Sequence, residues 1–175
     1  MAYRTPEPLG PDHDLAAFDC GEPALNIWLK RHARPSHAGG TARVYITTPA
    51  GEPRTAVGYY ALGAAQVEPQ DATERLIKGQ PAKRPVPVIL LARLAVDRGH
   101  QQRHLGSSLL KDAMLRVLQA ADAVGVRALV VNAKHDRARA WYLKYGYDLS
   151  PTDPLHLIVL LKDLKDFLRR SRATL

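Results

Sequence analysis

The sequence predicts a mixed α/β layer structure, and three observations carry that reading. Segments with a two-residue apolar period alternate along the chain with segments of helical period. One long apolar run, Val86 to Val96, is succeeded closely by the clearest amphipathic stretch, Leu105 to Ala123. The chain has 175 residues, 46% of them hydrophobic, which suits one core and a single domain over residues 1–175.

Residues 1–17 are Pro-rich and polar and read as an extended arm. Asp19 to Glu22 can cap a helix on which Leu25, Trp28 and Leu29 recur at helical spacing, with Lys30, Arg31, His32 and Arg34 beside them. Pro35 is expected to stop that helix, and Ser36 to Gly40 reads as a mobile loop. Arg43–Thr47 alternates Val44 and Ile46 with polar neighbours and reads as a strand, and Ala56–Val67 reads as a second strand closing a hairpin around the turn Pro49 to Glu52. Residues 68–85 are irregular, with a short helix near Ala72–Ile77. Val86–Val96 reads as a strand buried on both faces. In the long helix Leu109, Leu110, Ala113, Met114, Val117 and Ala121 share one face. Then come a strand at Val126–Val131, a helix at Asp136–Tyr145 ended by Gly146, a strand at Leu155–Leu161 and a charged helix at Lys162–Arg172.

Composition narrows the function classes. One cysteine, Cys20, excludes a disulfide framework within the chain and a cysteine-based metal cluster. The N-terminus has no charged-then-apolar signal pattern, and runs such as Leu157–Leu161 are too short to span a bilayer, so the expectation is a cytoplasmic protein without membrane contact. Lys and Arg number 25 against 17 Asp and Glu, a formal charge of +8. That balance favours a polyanionic partner or an anionic small ligand.

Two constellations carry chemistry. Leu94-Ala95-Val96-Asp97 ends the apolar strand, and Gln101 to Ser108 leads into the long helix. A helix N-terminus offers free N–H groups and a positive dipole end to an anion, Gly106 lets a phosphate come close, and Arg103 adds charge. The same residues also make an ordinary strand-to-helix turn. The second constellation is Ala138 to Tyr147, where aromatics on a short helix either fill a core or present the Tyr142 hydroxyl as a proton donor.

Together, in this order and spacing, the two resemble the signature of the GNAT acetyltransferases. The acetyl-CoA motif Gln/Arg-x-x-Gly-x-Gly/Ala is matched by Gln101 to Gly106, with His104 where the first glycine usually stands. The motif Ala-x-x-Trp/Phe-Tyr-x-x-x-Gly-Phe/Tyr is matched by Ala138 to Tyr147. Within that family the chain is similar to the TacT-like, tRNA-acetylating toxins of type II toxin–antitoxin modules. Phe18 to Leu29, Val57 to Leu62 and Val86 to Asp97 carry the narrower match.

The resemblance implies a GNAT acyl-CoA N-acyltransferase fold, a mixed and mostly antiparallel sheet with helices on both faces. It implies acetyl-CoA as cosubstrate and no metal. The cosubstrate set is Leu94, Ala95, Val96, Gln101, Gln102, Arg103, His104, Leu105, Gly106, Ser107 and Asn132. Val96 would supply a backbone N–H to the oxyanion, and Tyr142 a proton to the leaving thiolate. Asp97 and His135 are open as bases and equally open as loop residues; Cys20 reads as structural. The implied substrate is the α-amino group of aminoacyl-tRNA, whose acetylation blocks translation, with Arg31, Arg34 and Arg98 as candidates for RNA contact. The implied partners are a ribbon–helix–helix antitoxin, DNA only through the antitoxin complex, and a second copy in a homodimer. Two other readings stand beside this one: a GNAT enzyme for a small amine or protein N-terminus, and a non-catalytic binding module.

Overall fold

The computed structural model describes residues 1–173; Thr174 and Leu175, the end of the expected single domain, lie outside the described residues. The strands are β1 (Glu7–Pro8), β2 (Arg43–Thr47), β3 (Gly58–Val67), β4 (Val86–Val96), β5 (Ala128–Asn132), β6 (Asp148–Leu149) and β7 (His156–Leu160). The helices are α1 (Pro23–Ile27), α2 (Ala33–Gly39), α3 (Glu74–Ile77), α4 (Leu105–Ala121), α5 (Asp136–Leu143) and α6 (Leu161–Ala173). One sheet runs in the order β1-β2-β3-β4-β5-β7-β6. β4 and β5 are parallel, while β1–β2, β2–β3, β5–β7 and β6–β7 are antiparallel, so the sheet is mixed and mostly antiparallel.

The chain forms two compact units. The first holds Met1–Gly63 and Ala92–Ala113. Its core gathers Leu9, Leu15, Phe18, Leu29, Val44, Ile46, Tyr59 and Ala95. Phe18 meets Tyr59 edge-on at 5.6 Å, and Trp28 stacks on the same ring at 6.0 Å. Gly58 sits where no side chain fits: a Cβ would lie 2.8 Å from Thr47 Cγ2 and 3.0 Å from Leu109 Cδ1. That contact lets the start of β3 lie directly under α4. Tyr60 donates to the Asp112 carboxylate and ties the same strand to the same helix.

The second unit holds Ala64–Leu91 and the chain from Met114 onward. Val67, Leu76, Val86, Val88, Val130, Ile158 and Leu160 form its core. Arg127 donates to the carbonyls of Leu76 and Lys78, and Arg75 pairs with Asp148 and Asp163.

The structure corrects several expectations. The first helix does not stop at Pro35. The chain winds as a π-turn over Trp28–His32, with the Ala33 N–H on the Trp28 carbonyl, and then restarts as α2. Pro35 thus falls in the first turn of the restarted helix, where a missing N–H removes no helical bond. Ser36 to Gly40 is accordingly helix and cap rather than loop, closed by Gly40 at φ +79°. β4 is not buried on both faces: Pro87 is exposed, and Leu90, Ala92, Arg93, Leu94 and Val96 are half-buried. The polar arm is also more than an arm, because Leu9 and Leu15 are core residues and β1 pairs with β2.

Candidate active site

The first unit builds the loop between β4 and α4. Parallel pairing of β4 with β5 runs from Ile89↔Leu129 to Leu91↔Val131, and β4 continues to Val96. Beyond Val96 the loop is held by its own polar groups. Asp97 donates its N–H to the Val57 carbonyl at 2.9 Å. Its carboxylate accepts from the Asp19 and Gly99 N–H groups, both at 2.9 Å. Gln101 donates from one side-chain nitrogen to the Val96 carbonyl at 2.9 Å and the Cys20 carbonyl at 3.0 Å. Asp19 accepts from the Gly21 N–H and the Asn26 amide, and these bonds hold its carboxyl below the usual aspartate range.

Gln102 and His104 both sit in the left-handed region at φ +60°. That answers the departure at position 104. The backbone there adopts the conformation a glycine would favour, and histidine carries it at a cost of about 1–2 kcal/mol. The His104 carbonyl then accepts the first helical bond, from Ser108 N–H at 3.1 Å. The N–H groups of Leu105, Gly106 and Ser107 precede that bond and form the open end of α4. The Ser107 and Ser108 hydroxyls do not face outward as donors; both donate back to the His104 carbonyl, at 2.8 and 3.1 Å. Gln101, Gln102, Arg103 and His104 are exposed, Val96, Gly106 and Ser107 are half-buried, and Ala95 and Leu105 are buried.

The second unit carries the other set. Asn132 ends β5 opposite His156 and is exposed. His135 caps α5, its Nδ1 accepting the Ala138 N–H at 3.1 Å. Tyr142 is 7% exposed on the last turn of α5. Trp141 and Tyr147 stand edge-on to it at 4.9 and 5.7 Å. Burial pushes the Tyr142 hydroxyl well above the usual tyrosine range, so it keeps its proton at any physiological pH. The rings fill a core, and the buried hydroxyl within it stays protonated.

The remaining candidates sort by what they touch. Asp97 and His135 accept hydrogen bonds from backbone N–H groups. Cys20 is half-buried, burial raises its thiol, and its carbonyl braces Gln101. Arg31 is exposed on the π-turn. Arg34 donates to the carbonyls of Gly10 and His13, at 2.7 and 2.6 Å, and so holds the N-terminal arm. Arg98 is largely exposed, 3.7 Å from Asp19 and packed over Gly21. All three, with the loop residues from Leu94 to Ser107, lie in the first unit, whereas Asn132 and Tyr142 lie in the second.

Sequence reasoning missed two features. The Asp97 brace had a signal in Asp97-Arg98-Gly99, a pattern suited to a side chain bonding a backbone N–H two residues on. The guanidinium of Arg93, 4.3 Å over the Trp28 ring, had none, since 65 residues of sequence separate the pair.

Known proteins share both the sequence and the fold. Residues 54–149 match the acetyltransferase (GNAT) domain. The chain is 45% identical to a tRNA-acetylating toxin of Mycobacterium tuberculosis over 163 residues, 93% of this chain and 95% of the relative. Its structure is similar to that of AtaT complexed with acetyl-methionyl-tRNAfMet, with a TM-score of 0.86 and 32% identity, covering 95% of this chain and 99% of the other. It is also similar to a mutant AtaT toxin bound to the C-terminus of the antitoxin AtaR and acetyl-CoA, with a TM-score of 0.78 and 31% identity, covering 94% and 97% of the two chains.

Proposed function

We infer the reaction from one premise: this chain belongs to the GNAT acetyltransferase family. It is an acetyl-CoA-dependent N-acetyltransferase of the toxin type. It moves the acetyl group to the α-amino group of aminoacyl-tRNA and so blocks translation. A ribbon–helix–helix antitoxin neutralises it, and DNA is reached only through the antitoxin complex. The observation that carries the cosubstrate is the left-handed pair Gln102 and His104, which shapes the backbone before the open end of α4.

Acetyl-CoA supplies an activated thioester, so the chain needs no nucleophile of its own. The N–H groups of Leu105, Gly106 and Ser107 suit the pyrophosphate oxygens, with Arg103 adding charge. Gln101 serves by holding the loop to Val96, and Leu94, Ala95 and Asn132 complete the set. The Val96 N–H is the donor for the developing oxyanion. Tyr142 keeps a proton at Oη for the leaving sulfur. The amine needs little help, because an α-amino group with a pKa near about 8 is partly neutral at cellular pH. We assign Arg31 and Arg98 to tRNA phosphates, with Arg34 in a supporting place behind the arm.

The whole of residues 1–175 is assigned to one acetyltransferase domain, consistent with similarity that runs over 95% of the chain. No helix among the described residues is long and apolar enough to cross a membrane. We place the protein in the cytoplasm, where its substrate is, as a homodimer.

The test uses labelled acetyl-CoA and a pool of charged tRNAs. Label should appear on aminoacyl-tRNA with the unaltered chain. Label on a small amine or a protein N-terminus instead of tRNA would move the acceptor to those classes. Failure to bind acetyl-CoA at all would leave only a non-catalytic module. Replacing Arg31 and Arg98 with alanine together should lower the slope of log affinity against log salt by about 1–2.

A further inference from the structure

Among the described residues, two buried side-chain polar atoms have no hydrogen-bond partner: Nε of Arg139 and Oη of Tyr147. Both lie on the segment that carries Tyr142. Arg139 still reaches the surface, its side chain 31% exposed and one terminal nitrogen 3.8 Å from Asp136. Tyr147 does not, for the residue is 3% exposed. Gly146, at φ +82°, turns the chain sharply after α5. That turn brings the Tyr147 ring edge-on to Tyr142, with centroids 5.7 Å apart and planes at 68°. A phenylalanine would fill the same ring space and leave no hydroxyl dry. An unpaired buried hydroxyl costs about 1–3 kcal/mol, so its retention asks for a partner at some stage of the protein's work. The polar group on the ring it touches is the Tyr142 hydroxyl, whose oxygen gains charge only while it gives up its proton. A hydrogen bond to an ionised oxygen is about twice as strong as a neutral one.

We propose that the Tyr147 hydroxyl is a positioning donor for Tyr142, giving its hydrogen bond to Tyr142 Oη as that atom passes its proton to the leaving sulfur. The inference rests on the acetyl-transfer reading above. The step balances without a further reactant. The amine nitrogen bonds to the acetyl carbon, the carbon–sulfur bond breaks, sulfur takes the Tyr142 proton, and the proton shed by the acetylated nitrogen returns to Tyr142 through solvent. Burial, and after it the neighbouring Tyr142, holds the Tyr147 hydroxyl well above the ordinary tyrosine range, so Tyr147 is still protonated at that moment.

The experiment is a double-mutant cycle with Tyr147→Phe, Tyr142→Phe and the double variant. Acetyl transfer to aminoacyl-tRNA is measured alongside thermal melting. Tyr147→Phe should melt at or above the unaltered protein, because it removes a dry hydroxyl. Its KM for acetyl-CoA should stay within about twofold while kcat falls about 5- to 20-fold. In the Tyr142→Phe background the same change should alter the residual rate by less than about twofold, since a residue that acts through Tyr142 has nothing left to act on. Three results would overturn the proposal: an unchanged kcat, an equal loss in both backgrounds, or a loss of rate that accompanies a lower melting temperature. An unaltered chain that transfers no acetyl group would overturn the underlying reading, and the proposal with it.

Discussion

The loop from Asp97 to Ser107 is polar and largely exposed, and its side chains mostly serve its own backbone. The segment from Asn132 to Tyr147 buries the rings of Tyr142 and Tyr147, and it keeps two polar atoms without partners. In the loop, Asp97, Gln101 and the serines direct their hydrogen bonds inward, which in the proposed reading leaves the ligand to the main chain. Such a site is defined by φ and ψ more than by residue type, which is how histidine replaces glycine at 104. Around Tyr142 the reverse holds: in the proposed reaction one side-chain oxygen carries the chemistry, and neighbouring rings fix its place. The backbone region should tolerate substitution that keeps its shape, and the side-chain region should not.

That contrast can be broken in four ways, from the largest effect to the smallest. Tyr142→Phe should lower kcat by about 10²–10³-fold with the fold intact, read from label transfer and circular dichroism. Asp97→Ala leaves two backbone N–H groups without their acceptor, and it should weaken acetyl-CoA binding about tenfold by calorimetry, with kcat less affected. His104→Gly relieves a left-handed side chain and should raise stability by about 1 kcal/mol in chemical denaturation, leaving acetyl-CoA affinity within about twofold. A tenfold loss of affinity there would show that the imidazole itself binds, and would undo the claim that the loop works through its backbone. Last, the raised Tyr142 hydroxyl is in its working, protonated form below its folded pKa. The rate should therefore rise as the amine deprotonates near pH 8 and show no fall through about pH 10. A loss of rate beginning below about pH 9 would mean that a different acid serves the sulfur.

Much of the fold was legible because its elements obey local rules. The period of α4 and the alternation of β2 needed no tertiary context. β1 and β6 escaped because a two-residue strand has no period to read. The passage through Pro35 escaped because a π-turn has no composition signal and exists only in the way the chain restarts. At the site, Gln101 and Ser107 were legible as candidates, but the carbonyls their side chains brace were not. A sequence shows that a donor is near a ligand, and not which acceptor has already claimed it. The unpaired Tyr147 hydroxyl was equally hidden, since a tyrosine and a phenylalanine there write the same core pattern.

The chain contains two tryptophans, and each unit holds one. Trp28 meets the Arg93 guanidinium and the Tyr59 ring, while Trp141 stands against Tyr142 and Tyr145. Their surroundings differ enough that each lamp should shine with its own colour and brightness. With Trp28 or Trp141 changed to phenylalanine, the remaining indole becomes a private optical channel for one unit. Events in the first unit and events in the second can then be timed separately in the same cuvette.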